Sequence, residues 1–193
     1  MNNRNFNYDI MPEIKERWSS RAFSDKKIKT DDLMAVLEAA SFAPSCFNEQ
    51  PWRFVIGDTK QSKEKLCGLL YEGNQKWACN APVLILVLSY KYFSSNSKDN
   101  YWHMFDTGTS WGYLSLEAWR RGILAHAMGG FSRKRTREEL NISEDYDIVT
   151  IIAVGYPGDK TKLPEDLQDR EHPAVRKPLS SLILDIDESG KLK

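Results

Sequence analysis

The sequence lacks the motifs that mark several common enzyme classes. No G-x-G-x-x-G follows a predicted strand, and no Walker loop, zincin helix or G-x-S-x-G serine motif is present. These absences argue against a Rossmann dinucleotide site, a P-loop and a serine hydrolase. The three histidines, His103, His126 and His172, lie far apart and show no metal-ligand spacing, so we expect no metal site.

Cysteine, net charge and long apolar runs are also scarce. The three cysteines form no C-x-x-C pair, and we expect reduced thiols of a cytoplasmic protein, each buried rather than catalytic. Lys plus Arg and Asp plus Glu both number 27, and this zero formal charge argues against a nucleic-acid partner. The best apolar run, 81–88, is only strand-sized, so neither a membrane span nor a secretory signal is expected.

The apolar pattern that remains predicts helices first, then strands interleaved with helices. Predicted helices begin near Met11 and at the apparent cap Thr30-Asp31-Asp32, and others cover 59–70, 106–121 and 133–140. Predicted strands cover 53–57, 82–88, 123–126, 147–154 and 182–186. This order predicts an α+β or mixed α/β layer protein, with a single domain over 1–193. The polar segment 159–173 is interpreted as a surface excursion long enough to cover a site.

Polar residues that could bind a ligand cluster in loops beside these elements. Arg17 and Arg21, four residues apart with a hydroxyl between them, can converge on one phosphate, although on their own they are better explained as the solvated end of a helix. The loop 43–52 combines two prolines with serine, asparagine and glutamine before a strand. Gly129-Gly130 lets a backbone approach closely, because neither residue has a side chain in the way.

Five motifs occur in a familiar order: R-x-S-x-R-x-F, P-S-x-x-N-x-Q-P-W, G-G-F, V-G-Y-P and R-K-P-L. Together, from about Arg17 to Ile183, they resemble the nitroreductase family. The resemblance implies a central, mostly antiparallel sheet wrapped by helices, in an intertwined homodimer with FMN at the interface. It also implies that the flavin performs the chemistry, so that no side chain is assigned as catalytic.

The resemblance also implies roles for individual residues. The FMN phosphate and ribityl chain would be held by Arg17, Ser19, Arg21, Arg176 and, less directly, Lys177. The flavin ring would meet the backbone of Trp18, the amide of Asn74 and the backbone N–H groups of Gly129 and Gly130 near N5. From the other protomer it would meet Pro44, Ser45 and Asn48.

Two departures from the family pattern concern the flavin's surroundings. A second basic residue after the asparagine corresponds here to Trp77 or, with a slip of one residue, to Lys76. Gly129 stands where the best-studied branch carries an acid, and its smallness would widen the substrate pocket.

The implied activity is a ping-pong cycle. NADH or NADPH delivers hydride to FMN, and a small-molecule acceptor such as a nitroaromatic or a quinone then takes the electrons. Three alternatives remain open: a different flavin reaction, a non-catalytic flavin-binding or interaction protein, and a dimer with an empty site.

Overall fold

The computed structural model describes residues 4–192. Its helices are α1 Pro12–Glu16, α2 Thr30–Ser41, α3 Lys60–Leu69, α4 Glu72–Ala78, α5 His103–Arg120, α6 Arg133–Leu140 and α7 Glu165–Gln168. Its strands are β1 Trp52–Gly57, β2 Val83–Tyr90, β3 Leu124–Met128 and β4 Tyr146–Gly155. No helix within the described range combines the length and the apolar character needed to cross a membrane.

The four strands form one antiparallel sheet in the order β1-β2-β4-β3. Strand β2 lies inside the sheet and is buried on both faces, as its uninterrupted apolar sequence predicts. Leu84 and Leu86 pack into one core with residues of α3 and α4, whereas Ile85 and Val87 pack into a second core with α2 and α5. Helices therefore cover both faces of the sheet, which confirms the predicted α+β class.

Most predicted elements are present, but three details of the prediction are wrong. Helix α4 went unpredicted, because its seven residues carry too few apolar positions for a periodic signal. Thr30 is the first residue of α2 rather than its cap, and the preceding Lys29 makes no side-chain capping bond. No strand forms at 182–186; a 3-10 turn at Leu179–Ser181 and an isolated bridge between Ile186 and Leu192 occupy this region.

Two of the cysteines are paired, so the expectation of three reduced thiols is wrong. Cys67 near the end of α3 and Cys79 just after α4 form a disulfide, with their Cα atoms 5.5 Å apart. The sharp turn between the two helices brings these residues together, which sequence spacing alone does not reveal. Cys46 is free, and none of the three cysteines is fully buried.

Candidate functional site

A cavity of about 370 Å³ brings together segments from both ends of the chain. It is lined by Arg4, Trp18, Ser19, Arg21, His126, Arg170, His172, Ala174 and Arg176. Four of these nine residues carry a guanidinium group, so the cavity is strongly cationic although the whole chain has no net charge. The sequence predicted Trp18, Ser19, Arg21 and Arg176 as site residues, and the fold places all four here.

The five arginines at or beside this cavity repel one another: four line it, and Arg17 lines a neighbouring depression that it shares with Arg4 and Arg176. Burial lowers the pKa of Arg17, and the charges of Arg4 and Arg176 lower it further. The pKa of Arg21 is lowered by burial and by Arg170, against a smaller opposing effect of Glu171. Within residues 4–192, Arg21 approaches a carboxylate only at 4.0 Å, and the other four arginines form no salt bridge. Such a concentration of unneutralised charge favours an anionic ligand.

Arg4, which sequence reasoning missed, fastens the two ends of the chain at this cavity. Its Nη1 donates to the carbonyl oxygens of Lys15 (3.2 Å) and Arg17 (2.8 Å), and its Nε donates to that of Ala174 (3.1 Å). Its Nη2 is buried and has no hydrogen-bond partner. A buried donor without an acceptor is costly, and the phosphate oxygens of a bound ligand would satisfy it. No local sequence signal marks Arg4, because its partners depend on tertiary contacts.

The polar excursion returns to this cavity at 170–172. Arg170 and His172 line the cavity, while the carboxylate of Glu171, between them, accepts a hydrogen bond from the backbone N–H of Arg21 at 2.8 Å. The prediction that this segment covers a site agrees with that placement. Its composition alone did not indicate which of its residues face the cavity.

A second predicted cluster joins α4 to the end of β3. Asn74 Nδ2 donates to the carbonyl oxygen of Gly130 at 3.1 Å, and the N–H of Tyr71 donates to the same oxygen at 3.0 Å. A Cβ atom on Gly130 would lie 2.6 Å from Asn74 Nδ2, whereas one on Gly129 would meet nothing within 4 Å. The missing side chain at Gly130 therefore makes room for the Asn74 amide, and Gly129 leaves open space.

Trp77 connects the two clusters. Its buried ring packs against that of His126, with centroids 4.6 Å apart, and the Arg21 guanidinium lies over its face. Lys76 instead has a half-exposed side chain and pairs with Glu72 at 3.4 Å. Of the two residues that could occupy the family's basic position, Trp77 therefore supports Arg21 and Lys76 points to solvent.

His126 contacts the backbone of a distant segment, and it is the third residue of β3 rather than the last residue of the predicted strand. Its Nδ1 lies 3.0 Å from the carbonyl oxygen of Ser20. Burial lowers the pKa of His126 to about 4, so the ring is neutral at pH 7. Because a carbonyl oxygen only accepts, Nδ1 carries the proton of the neutral ring.

The remaining predicted residues lie away from this cavity. Pro44, Ser45 and Asn48 belong to the loop between α2 and β1, and they are absent from the cavity lining. Phe47 in this loop is 90% exposed, so the loop projects outward. Lys177 lines a neighbouring depression that it shares with Arg176.

A Ser–His–Asp arrangement elsewhere in the molecule has a structural explanation. Ser89 Oγ is 2.9 Å from His103 Nδ1, and His103 Nε2 is 3.6 Å from Asp147. Ser89 has no exposed surface, and its hydroxyl also contacts the carbonyl oxygen of His103 and the hydroxyl of Thr107. Because no substrate can reach this hydroxyl, the trio ties the start of α5 to β2. Within the described range, no group of three or more His, Cys, Asp or Glu side chains is arranged to hold a metal ion.

Comparison with known proteins assigns the family. The model of the nitroreductase family matches residues 14–73 and 58–156, so the chain belongs to the nitroreductase family. A solved structure described as an oxidoreductase containing FMN superimposes with a TM-score of 0.91, at 38% identity, covering 99% of this chain and 98% of that one.

Two curated proteins illustrate the range of its relatives. An Archaeoglobus fulgidus protein, provisionally named NADH dehydrogenase/NAD(P)H nitroreductase, is 30% identical over 86% of this chain and 94% of its own length. An iodotyrosine deiodinase of Thermotoga neapolitana is 27% identical over 82% of this chain and 93% of its own.

Proposed function

We propose that this protein is an FMN-dependent oxidoreductase that takes electrons from NADH or NADPH and passes them to nitroaromatic, quinone or similar acceptors. The observation that carries the proposal is the cationic cavity, where burial and then repulsion from neighbouring arginines lower the pKa of Arg17 and Arg21, and where Arg4 Nη2 has no acceptor. FMN, when bound, supplies the redox chemistry, and the protein binds and orients it. Its doubly charged phosphate matches both the excess positive charge and the unsatisfied donor.

The two clusters of the site then serve different parts of the cofactor. Arg17, Arg21 and Arg176 hold the phosphate with Ser19, and Arg4 completes their arrangement. Asn74 presents its amide toward the polar edge of the ring, held by its bond to Gly130. The open space at Gly129 allows a flat ring to approach the backbone N–H groups of this segment. Trp77 supports Arg21 at the phosphate end of the cofactor.

We further propose that the active form is a homodimer. Residues 174–192 are exposed throughout and include Leu182, Leu184 and Ile186 at 63–71% exposure. A second apolar patch at the start of α5 includes Tyr101 and Phe105, at 87% and 71%. Contiguous exposed apolar surface of this extent favours association. A second copy would cover it and would bring the projecting loop with Pro44, Ser45 and Asn48 to the first copy's flavin.

An absorbance titration tests the proposal. Protein mixed with FMN and freed of excess cofactor should retain about one FMN per chain, and NADH or NADPH should bleach the flavin bands until a nitroaromatic, a quinone or air restores them. Light scattering of the same sample should report a mass near twice 22.2 kDa. Failure to retain FMN would overturn the proposal. Retention without bleaching by either nucleotide would favour a non-catalytic flavin-binding protein.

The likeness to an iodotyrosine deiodinase supports a second candidate, reductive removal of halogen from a halogenated phenol on the same flavin. Iodotyrosine offered as acceptor to the reduced protein distinguishes the two. Release of iodide faster than the turnover of nitroaromatics would favour the second candidate.

A further inference from the structure

Glu171 makes an unusual set of contacts beneath the cationic cavity. Its Oε1 accepts hydrogen bonds from Ser20 Oγ, from the backbone N–H of Arg21 (2.8 Å) and from that of Ala22 (3.0 Å). The side chain is only 4% exposed, and about 150 residues of sequence separate it from the loop that it binds. One buried oxygen thus gathers three donors from a three-residue segment.

The orientation of Glu171 removes an apparent conflict with an anionic ligand. Its neighbours Arg170 and His172 line the cavity, but Glu171 does not. Its second oxygen has no hydrogen-bond partner and lies 4.0 Å from Arg21 Nη1. Burying a carboxylate with one oxygen unpaired is costly, and the nearby charge of Arg21 offsets part of that cost. The negative charge therefore acts on the loop and on Arg21 from a position outside the cavity lining.

Ser20 is held from two sides. Glu171 accepts from its hydroxyl, and the Nδ1–H of His126 donates to its carbonyl oxygen at 3.0 Å. The residues on either side of Ser20, Ser19 and Arg21, both line the cavity. Fixing the backbone at Ser20 therefore sets the direction of the two flanking side chains.

We propose that Glu171 is a positioning residue that preorganises Ser19 and Arg21 for the phosphate of FMN. The inference rests on the proposed function, since it presupposes that FMN binds at this cavity. It also explains why the polar excursion returns to the cavity, because this surface segment supplies the carboxylate that holds the phosphate-binding loop in its binding conformation. Preorganisation strengthens binding because less conformational freedom is lost when the ligand arrives.

Comparing FMN with riboflavin, which lacks the phosphate, separates positioning from general stability. Glu171→Gln removes the charge at constant size, and we expect it to raise the Kd of FMN about tenfold. The Kd of riboflavin should change much less, because the affected side chains serve the phosphate. Asp169→Asn makes the same chemical change at an exposed residue two positions earlier and should leave both constants unaltered.

Three results would overturn this role. An unchanged Kd of FMN in Glu171→Gln would exclude the positioning role. An equal loss of affinity for FMN and riboflavin would also exclude it, because that is the result expected of a residue with only a structural role. A similar effect of Asp169→Asn would assign the change to overall charge. Should Glu171→Gln not fold, Ser20→Ala decides, because it deletes one of the three donors and leaves the carboxylate. We expect the affinity for FMN to fall about threefold and that for riboflavin to change much less. If the affinity for FMN does not fall selectively, the proposal is refuted. If the unaltered protein retains no FMN, the proposed function itself has failed.

Discussion

Arg21 lies over the face of Trp77, with its guanidinium carbon 5.8 Å from the ring centroid. Trp77 is 2% exposed, so the ring is a fixed support beneath a charged group that lines the cavity. Contacts of this kind contribute about 0.5–2 kcal/mol, and here the contact also limits the directions that Arg21 can take. Arg21 lines the cavity, whereas Lys76 is absent from its lining and pairs with Glu72.

Replacing Arg21 should weaken FMN binding strongly. Arg21→Gln removes a partly buried guanidinium, and we expect the Kd of FMN to rise at least tenfold, about the effect of losing one charge-assisted hydrogen bond. The matched control is Lys76→Gln, which removes a positive charge that faces solvent. Quenching of FMN fluorescence measures both constants. An equal loss in the two variants would show that Lys76, too, contacts the cofactor.

Alanine should be tolerated very differently at the two adjacent glycines. A Cβ at Gly130 would displace the Asn74 amide and break its bond to the Gly130 carbonyl oxygen, so we expect Gly130→Ala to lower the free energy of unfolding by about 1–2 kcal/mol. In Gly129→Ala the added methyl group enters open space, so the free energy of unfolding of the FMN-free protein should change by less than about 0.5 kcal/mol. Urea denaturation of the FMN-free proteins measures this difference. Equal stability of the two variants would contradict the close approach at Gly130.

Breaking the Cys67–Cys79 disulfide should destabilise the protein. The bond closes a segment of 12 residues that contains Asn74, and the chain-entropy relation gives about 3 kcal/mol for a loop of this size. Dithiothreitol should therefore lower the denaturation midpoint, and it should not affect the double variant Cys67→Ala/Cys79→Ala. Thiol titration in denaturant should count one thiol before reduction and three afterwards. Three thiols without reductant would show that the pair is not oxidised under those conditions.

His126 should make the protein less stable in mild acid. Its pKa is lowered from 6.5 to about 4 in the folded state, chiefly by burial, so between these values the unfolded chain binds the proton more readily. Stability should therefore fall as the pH drops from about 6.5 to about 4, with up to about 3 kcal/mol from this group. His126→Gln should flatten that part of the profile, whereas His172→Gln, at an exposed residue, serves as the control. A profile unchanged by His126→Gln would refute the assignment.

Sequence patterns were sufficient where local physics decides. The apolar run of β2 predicted a central strand, the predicted helix at 133–140 coincides with α6, and Thr59, at the start of a predicted helix, caps α3 through Ser62. Each depends on side-chain periodicity or on hydrogen bonds within one turn. The order of the five motifs likewise sufficed for the nitroreductase family, because the motifs span most of the chain.

Contacts between distant segments could not be predicted from local sequence patterns. The disulfide, the return of Glu171 to the loop at Ser20 and the clamp formed by Arg4 join residues 12 to 170 positions apart. The predicted strand at 182–186 failed for a related reason. A strand needs a partner, and within the described chain this apolar segment has none beyond one bridge.

The sequence by itself determined the layered α+β class, the central strand, the family and two of the four cavity arginines, Arg21 and Arg176, because these follow from residue type and order. Only the tertiary structure decided which charges share a cavity, that Gly130 rather than Gly129 meets Asn74, and that an acid of the polar excursion binds the loop at Ser20. Burial, repulsion and hydrogen bonding between remote groups depend on distances in space, and those distances exist only once the chain has folded.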